Sequence, residues 1–417
     1  MEESLPPELP LDLLAEILSR CDPRTVVRFG TACKLLWRHV SDPALRARLR
    51  ARLPAADRFL LGLLYQHSSP APLFAAPSSS GSRHLPNGVA SSMSAALMDR
   101  HEPVASRGGL VVLRSWERPL ELAVCDPAAG RGGFLPPCDV HPDAYALLLP
   151  QDYDDGDAGA GGSDVDPRFE LLVMDMDEGI RTQTFSSVSR AWGPVVSDAA
   201  TGGGVRIPYG YRQVQPTTTV VIGGVAYWLY RGGLFAPPPP TRHSYRVLAL
   251  DVATGHATWT EVPERCHKLR RMPLVGGSNE PKELLLVPYS PPPSPPSKKK
   301  VGLLVSELMA ISMWVLDDDD GGTTWAKHVV VDRERVLGQV QHCLYGPLAL
   351  AVRAMELESV AERSGTVVMQ MHGVGIFLLN LQTLQVHQLQ TSLHVKSFAR
   401  YPFCVYELDL ISLIPSK

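Results

Sequence analysis

No run in this 417-residue chain is apolar and long enough to cross a bilayer as a helix; residues 301–316 come nearest and are broken by Ser306, Glu307 and Ser312. An excess charge of one sign is also lacking. Forty basic against 43 acidic residues leave a net charge of −3, which argues against a dedicated nucleic-acid binder. Asparagine occurs only at positions 87, 279 and 380, and none begins a glycosylation sequon. The opening Met1-Glu2-Glu3-Ser4 is acidic, without the basic and apolar parts of a signal peptide. Seven scattered cysteines, an odd number with no Cys-x-x-Cys pair, fit free thiols in a reducing compartment. These absences together lead us to expect a cytosolic or nuclear protein. Its length makes two domains the natural expectation.

Residues 9–46 form a helical segment that the rest of the chain does not repeat. Leu13, Leu14, Ile17, Leu18 and Cys21 recur at helical spacing and make one apolar stripe. Pro10 suits a first turn, and Asp12 and Glu16 bring negative charge to the helix start. Asp22-Pro23 restarts the chain as cap and first helical residue, leading to Val26, Val27 and Phe29. Cys33, Leu36, Trp37 and Val40 make a third stripe. Ser41-Asp42-Pro43 opens a fourth helix through Leu45 and Leu49, closed by Pro54. Four short helices bury little apolar surface by themselves. The stripes therefore await either a partner or the chain's own body, and the pattern alone leaves both open.

This segment resembles the F-box, by which substrate receptors join SCF-type ubiquitin ligases. The matching positions include Leu9-Pro10, Leu13, Leu14, Ile17-Leu18, Asp22-Pro23, Val26, Val27, Cys33-Lys34, Trp37, Val40 and Pro43. Leu35-Leu36 departs from the usual polar pair, and Val26 stands where leucine is commoner. The resemblance implies docking on the SCF adaptor subunit, and through it on a cullin. It assigns adaptor contact to Leu9, Pro10, Leu13, Leu14, Ile17, Leu18, Val26, Cys33 and Trp37.

Beyond Pro54 the pattern becomes β-rich. Apolar runs of four to eight residues alternate with Gly, Pro and Asp. One unit recurs, a buried strand ending in Asp126, Asp175, Asp251, Asp317 or Asn380, then a tight turn and a second strand. Those positions are 49, 76, 66 and 63 residues apart, near one propeller blade once insertions at 152–166, 236–242 and 288–300 are subtracted. A β-propeller of about six blades is expected, five from the repeats and one joined from both ends. Residues 403–408 should then pair with 59–65 or with the stretch near Leu110. A two-sheet sandwich, the alternative, would be unusually large. The stretches 106–112, 122–127, 224–228 and 248–251 resemble the F-box-associated, kelch-like propeller region of plant F-box proteins. The expected fold class is α+β and mostly β, a small helical F-box followed by the propeller. The expected boundaries are 1–54 for the F-box, 55–104 for a linker with possible first strands, and 105–417 for the propeller.

Motifs that could carry chemistry read better as structure. Cys125, Cys138 and His141 lack zinc spacing, as does Cys266-His267. Gly159, Gly161 and Gly162 lack a following Gly-Lys-Ser/Thr and lie beside Asp154, Asp155 and Asp157, which would repel phosphate. Asp317 to Asp320 lacks EF-hand spacing and fits a hairpin tip. The prolines of 291–296 with Lys298-Lys299-Lys300 read as an exposed insertion, with a groove ligand or nuclear signal as alternatives. No catalytic residue, metal or cofactor is expected. The expected function is a non-enzymatic receptor that docks a ligase by its head and binds an unidentified protein by its propeller. A propeller enzyme, a small-ligand receptor or an adaptor-bound scaffold are the alternatives.

Overall fold

Asp42 and Pro43 start a helix as their order suggests: Asp42 Oδ1 accepts from Ala44 N at 2.9 Å, and Pro43 takes the first position of the helix Pro43–Arg52. That helix and Leu11–Arg20 belong to a computed structural model describing residues 11–21, 25–26, 34, 38, 40–52, 59–65, 73–75, 100–127, 131–152, 168–177, 179–197, 211–214, 217–232, 245–266, 283–290, 299–307, 310–317, 324–332, 355–371, 375–389, 403–409 and 411. Leu45 and Leu49, one turn apart, pack with Leu18, Val26 and Val40 in the core of the head. Ile411, from the far end of the chain, completes that core. No helix among the described residues is long and apolar enough to cross a membrane.

Among the described residues the body is five antiparallel blades and one narrower sheet. Blade 1 runs His101–Arg107, Leu110–Ser115, Leu122–Asp126 and Arg131–Phe134. Blade 2 has Ala144–Leu148, Glu170–Asp175 and Arg181–Ser186, with Ala191–Trp192 and Val196–Ser197 both on its third strand. In blade 3, Tyr211–Gln213 and Val220–Ile222 share Val225–Gly232, followed by Tyr245–Asp251 and Ala257–Glu261. Blade 4 has Leu284–Tyr289, Lys300–Ser306, Ala310–Asp317 and Thr324–Asp332. Blade 5 has Met355–Ala361, Thr366–Met371, Gly375–Asn380 and Val386–Leu389. The sixth sheet holds three strands in the order Leu73–Ala75, Phe59–Tyr65, Phe403–Asp409.

The innermost strands touch in a closed ring, from His101–Arg107 through Ala144–Leu148, Val220–Ile222, Leu284–Tyr289, Met355–Ala361 and Phe403–Asp409 back to the first. Apolar clusters fill the spaces between successive blades 1 to 5. Each fully buried Leu, Val or Phe there contributes about 1.5–3 kcal/mol. The blade count is thus five, against about six expected. The sheet joined from the two ends is real and shows three strands among the described residues, one fewer than a full blade. Its pairing is the one expected between residues 59–65 and 403–408, antiparallel from Phe59 opposite Asp409 to Tyr65 opposite Phe403.

The repeat itself needs one correction. Asp251 and Asn380 end third strands, and each caps its turn with a side-chain oxygen, from Thr254 N at 2.8 Å and Thr383 N at 2.9 Å. A left-handed residue follows four positions later, Gly255 at φ 71° and Leu384 at φ 55°. Asp175 ends a second strand instead. The true counterpart in blade 2 is Ser186, whose hydroxyl accepts from Val188 N and whose carbonyl accepts from Arg190 N at 2.8 Å. Arg190 holds φ 54°, in place of the glycine. The insertion ascribed to 288–300 is also shorter. Pro288 and Tyr289 pair with Val301 and Lys300 as ladder residues, and residues 291–298 lie outside the described ones.

Gly108 and Gly109, at φ 60° and 86°, make the two-residue turn between the first strands of blade 1. A Cβ on Gly108 would lie 2.5 Å from Leu149 Cδ1. Gly108→Ala should therefore cost about 1–3 kcal/mol in chemical denaturation, through backbone strain alone before any clash. Unchanged stability would contradict this turn.

Candidate functional sites

Two places in the described residues could hold a partner. On the helix Leu11–Arg20, Leu13 and Ile17 stand one turn apart and remain 54% and 47% exposed, although both are large and apolar. Glu16 and Arg20 form an ion pair beside them at 2.7 Å. Leu14 is half-buried against the head's core. Leu18 and Val26, which the F-box resemblance assigns to adaptor contact, are 1% and 0% exposed and face that core. Leu9, Pro10, Cys33 and Trp37 lie outside the described residues. The stripe thus divides: Leu18 faces inward, while Leu13 and Ile17 offer their apolar surface outward.

The second place is at the end of the propeller axis where inner strands finish. A cleft of about 670 Å³, counted with its open mouth, is lined from all six sheets, including Arg107, Thr218, Pro288, Ser359, Glu362 and Glu407. Arg107 ends the innermost strand of blade 1 and is 9% exposed. Its Nε and Nη2 donate to Glu362 at 2.5 and 3.0 Å. Its Nη2 and Nη1 donate to Asp152, and Nη1 also reaches the Leu147 carbonyl at 3.2 Å. Five contacts match the five N–H groups of a guanidinium. Asp152 Oδ2 also accepts from Leu149 N at 2.7 Å. The clasp ties blade 1 to the turn after the first strand of blade 2 and, past the sixth sheet, to blade 5.

Burial opposes charge on Arg107, but Glu362 and Asp152 outweigh it and push its pKa above the usual value. Burial likewise opposes ionisation of Glu362, and Arg107 and then Lys299 overcome it, holding the carboxyl below its ordinary value. Glu407 lies the other way. Burial pushes its carboxyl up despite hydrogen bonds from Arg363 N at 2.8 Å and Ser364 N at 2.7 Å. Thr218 and Ser359, from blades 3 and 5, share a hydrogen bond of 3.3 Å beside the axis.

Arg107→Met should destabilise the protein by about 3–5 kcal/mol at neutral pH, because two buried carboxylates lose their cation. Stability that depends on an ionised Glu362 is present above the ordinary carboxylate range and is lost as pH falls through its lowered value. The gap between variant and wild type in denaturant melts should therefore narrow on acidification. A gap that stays constant with pH would contradict the clasp.

Sequence reasoning missed this site, since Arg107, Asp152 and Glu362 are far apart in the chain and share no motif. The one local sign was an arginine directly before Gly108-Gly109. The sulfurs considered for metal lie elsewhere: Cys125 Sγ faces the Val111 carbonyl and Cys138 Sγ the Val140 carbonyl. Asp143, Asp175 and Asp177 do approach within 4.8 Å of one another. Asp175, however, is paired with Arg181, and Asp143 caps Met176 N at 3.1 Å, which accounts for the group as turn structure.

Comparison with known families matches residues 65–416 to a domain of unknown function, DUF7595, and residues 6–46 to the F-box domain. No curated protein is similar to the chain at a significant level. Among solved structures, a DUF4784 family protein from Bacteroides caccae ATCC 43185 is 12% identical with a TM-score of 0.41, covering 83% of this chain and 73% of that one. The β-propeller domain of the Trilobed protease from Pyrococcus furiosus is 8% identical with a TM-score of 0.30, covering 70% and 83%. Likeness at this level carries nothing about activity.

Proposed function

The chain belongs to the DUF7595 family and carries an F-box at its head, and from that pairing we propose that it is the substrate-recognition subunit of an SCF-type ubiquitin ligase. The head docks the adaptor subunit and through it a cullin. The propeller holds a target protein, in the cytosol or nucleus. The observation that carries the reading is the exposed pair Leu13 and Ile17 on the first helix of the F-box segment. Outward leucine and isoleucine on a helix that already turns Leu14 and Leu18 to its own core favour a partner groove. The mechanism is proximity: one scaffold holding two partners raises the effective concentration of target near the conjugating enzyme. The saturated contacts of Arg107 favour holding and positioning at the axis over proton transfer there.

The test is isolation of the tagged full-length chain with identification of its companions by mass spectrometry. Adaptor and cullin in stoichiometric amounts are the expected result; a chain that recovers neither overturns the reading. Removing residues 1–54 would be a poor control, because it strips Ile411 of its apolar cover.

A further inference from the structure

Of the lysine run after the proline-rich segment, the fold seats Lys299 beside a carboxylate of the axial cleft. Lys299 Nζ lies 3.6 Å from Glu362 Oε1. Lys299 stands just before the second strand of blade 4, and Glu362 just after the first strand of blade 5. The lysine side chain is 54% exposed, whereas that of Glu362 is only 16% exposed. A half-exposed ammonium is weakly held by such a pair and exchanges readily.

The charge balance says what would replace it. Arg107 brings one positive charge between Asp152 and Glu362, so the clasp alone is left with one negative charge. Glu407 adds a further acidic group to the lining. Lys299 offsets that excess from the rim. An anion entering here would compete for Lys299 and meet Glu362. A cation would take over the place of Lys299 and leave Glu362 compensated. The lining also offers the hydroxyls of Thr218 and Ser359, which can accept from a charged head entering beside Glu362.

We propose that the axial mouth receives a lysine or arginine side chain from an extended segment of the target protein, and that Lys299 holds that place as an internal stand-in until displaced. The proposal rests on the reading of the propeller as the target-holding half. Its chemistry sets a rule for targets: a basic residue in an exposed, extended segment engages Glu362, and acidic segments are rejected.

The test uses the purified full-length chain and labelled, end-blocked pentapeptides of sequence Gly-Ser-X-Ser-Gly, where X is lysine, arginine, norleucine or glutamate, followed by anisotropy up to millimolar protein. Lysine and arginine peptides should bind at least about tenfold more tightly than norleucine or glutamate, the difference one charge-assisted contact supplies. Lys299→Ala leaves Arg107, Asp152 and Glu362 in place, so its folding is not at issue. It should tighten the lysine peptide by about threefold to tenfold, because the competitor is gone. Equal binding of lysine and norleucine peptides by both wild type and Lys299→Ala overturns the proposal, as does weaker lysine binding by Lys299→Ala. Adaptor capture by the same preparations is scored separately. A chain that prefers lysine but takes no adaptor refutes the ligase reading and keeps the mouth; one that takes adaptor without a lysine preference does the reverse.

Discussion

Leu13→Asp combined with Ile17→Asp should abolish adaptor capture while leaving the head and propeller folded. Both side chains are about half exposed in the free chain, so a carboxylate at either position stays solvated and disturbs no core contact. In a complex the same positions would face an apolar groove, where an unpaired carboxylate must be stripped of water. At about 2 kcal/mol or more per central apolar anchor, the pair should weaken binding by roughly 10³-fold or more. Titration of purified adaptor by calorimetry would measure this, with circular dichroism confirming the fold. Retained affinity in the double variant would sink the docking face. Leu18→Asp would also lose capture, but for another reason. Leu18 is 1% exposed in the core with Val26, Val40, Leu45, Leu49 and Ile411, so its replacement should melt the head itself. Only the outward pair separates a lost interface from a lost fold.

That division could not be read from periodicity. Leu13, Leu14, Ile17 and Leu18 make one stripe at 3.6 residues per turn, and a stripe is wide enough to face a core on one edge and a partner on the other. Which edge does which depends on where Ile411 arrives, nearly 400 residues away. The propeller was legible for a different reason. Its hairpins are local, and a strand ending in Asp or Asn before a tight turn follows from how those side chains cap backbone N–H groups. The same reasoning failed at blade 2, where a serine does the capping and Arg190 adopts the left-handed conformation. Asp175 imitated the signal one strand too early. With Ser186 in its place the turns stand 60, 65, 66 and 63 residues apart, and the irregular 49 and 76 disappear. The clasp at the axis was hidden altogether. Arg107, Asp152 and Glu362 meet only because the ring brings blade 5 back toward blades 1 and 2, and nothing in the spacing of three charged residues announces a closure.

Deleting residues 401–417 should unfold the whole body cooperatively, not trim a peripheral strand. The strand Phe403–Asp409 is the innermost member of the sixth sheet and touches the first strands of both blade 1 and blade 5. Without it Phe59–Tyr65 loses every pairing on that side, and the ring opens between blades 5 and 1, where the inner strands lose the packing that covered them. Four further contacts leave with it. Tyr406 is fully buried, Glu407 binds Arg363 N and Ser364 N, Asp409 pairs with Arg363 at 3.7 Å, and Ile411 fills the head's core. Tyr406→Ala alone should cost about 3–5 kcal/mol, the scale for emptying a large aromatic from a core. The full deletion should exceed the 5–15 kcal/mol that holds a typical domain folded. Removal of Arg131–Phe134 from the outer edge of blade 1, exposed at every residue, should be far milder. Thermal unfolding and size-exclusion chromatography of the two deletions would decide between closure and ornament. A 401–417 deletion that remained a soluble monomer with a single sharp transition would show that the ring does not need its terminal strand, and the pairing with Phe59–Tyr65 would then be decoration on a body that five blades already close.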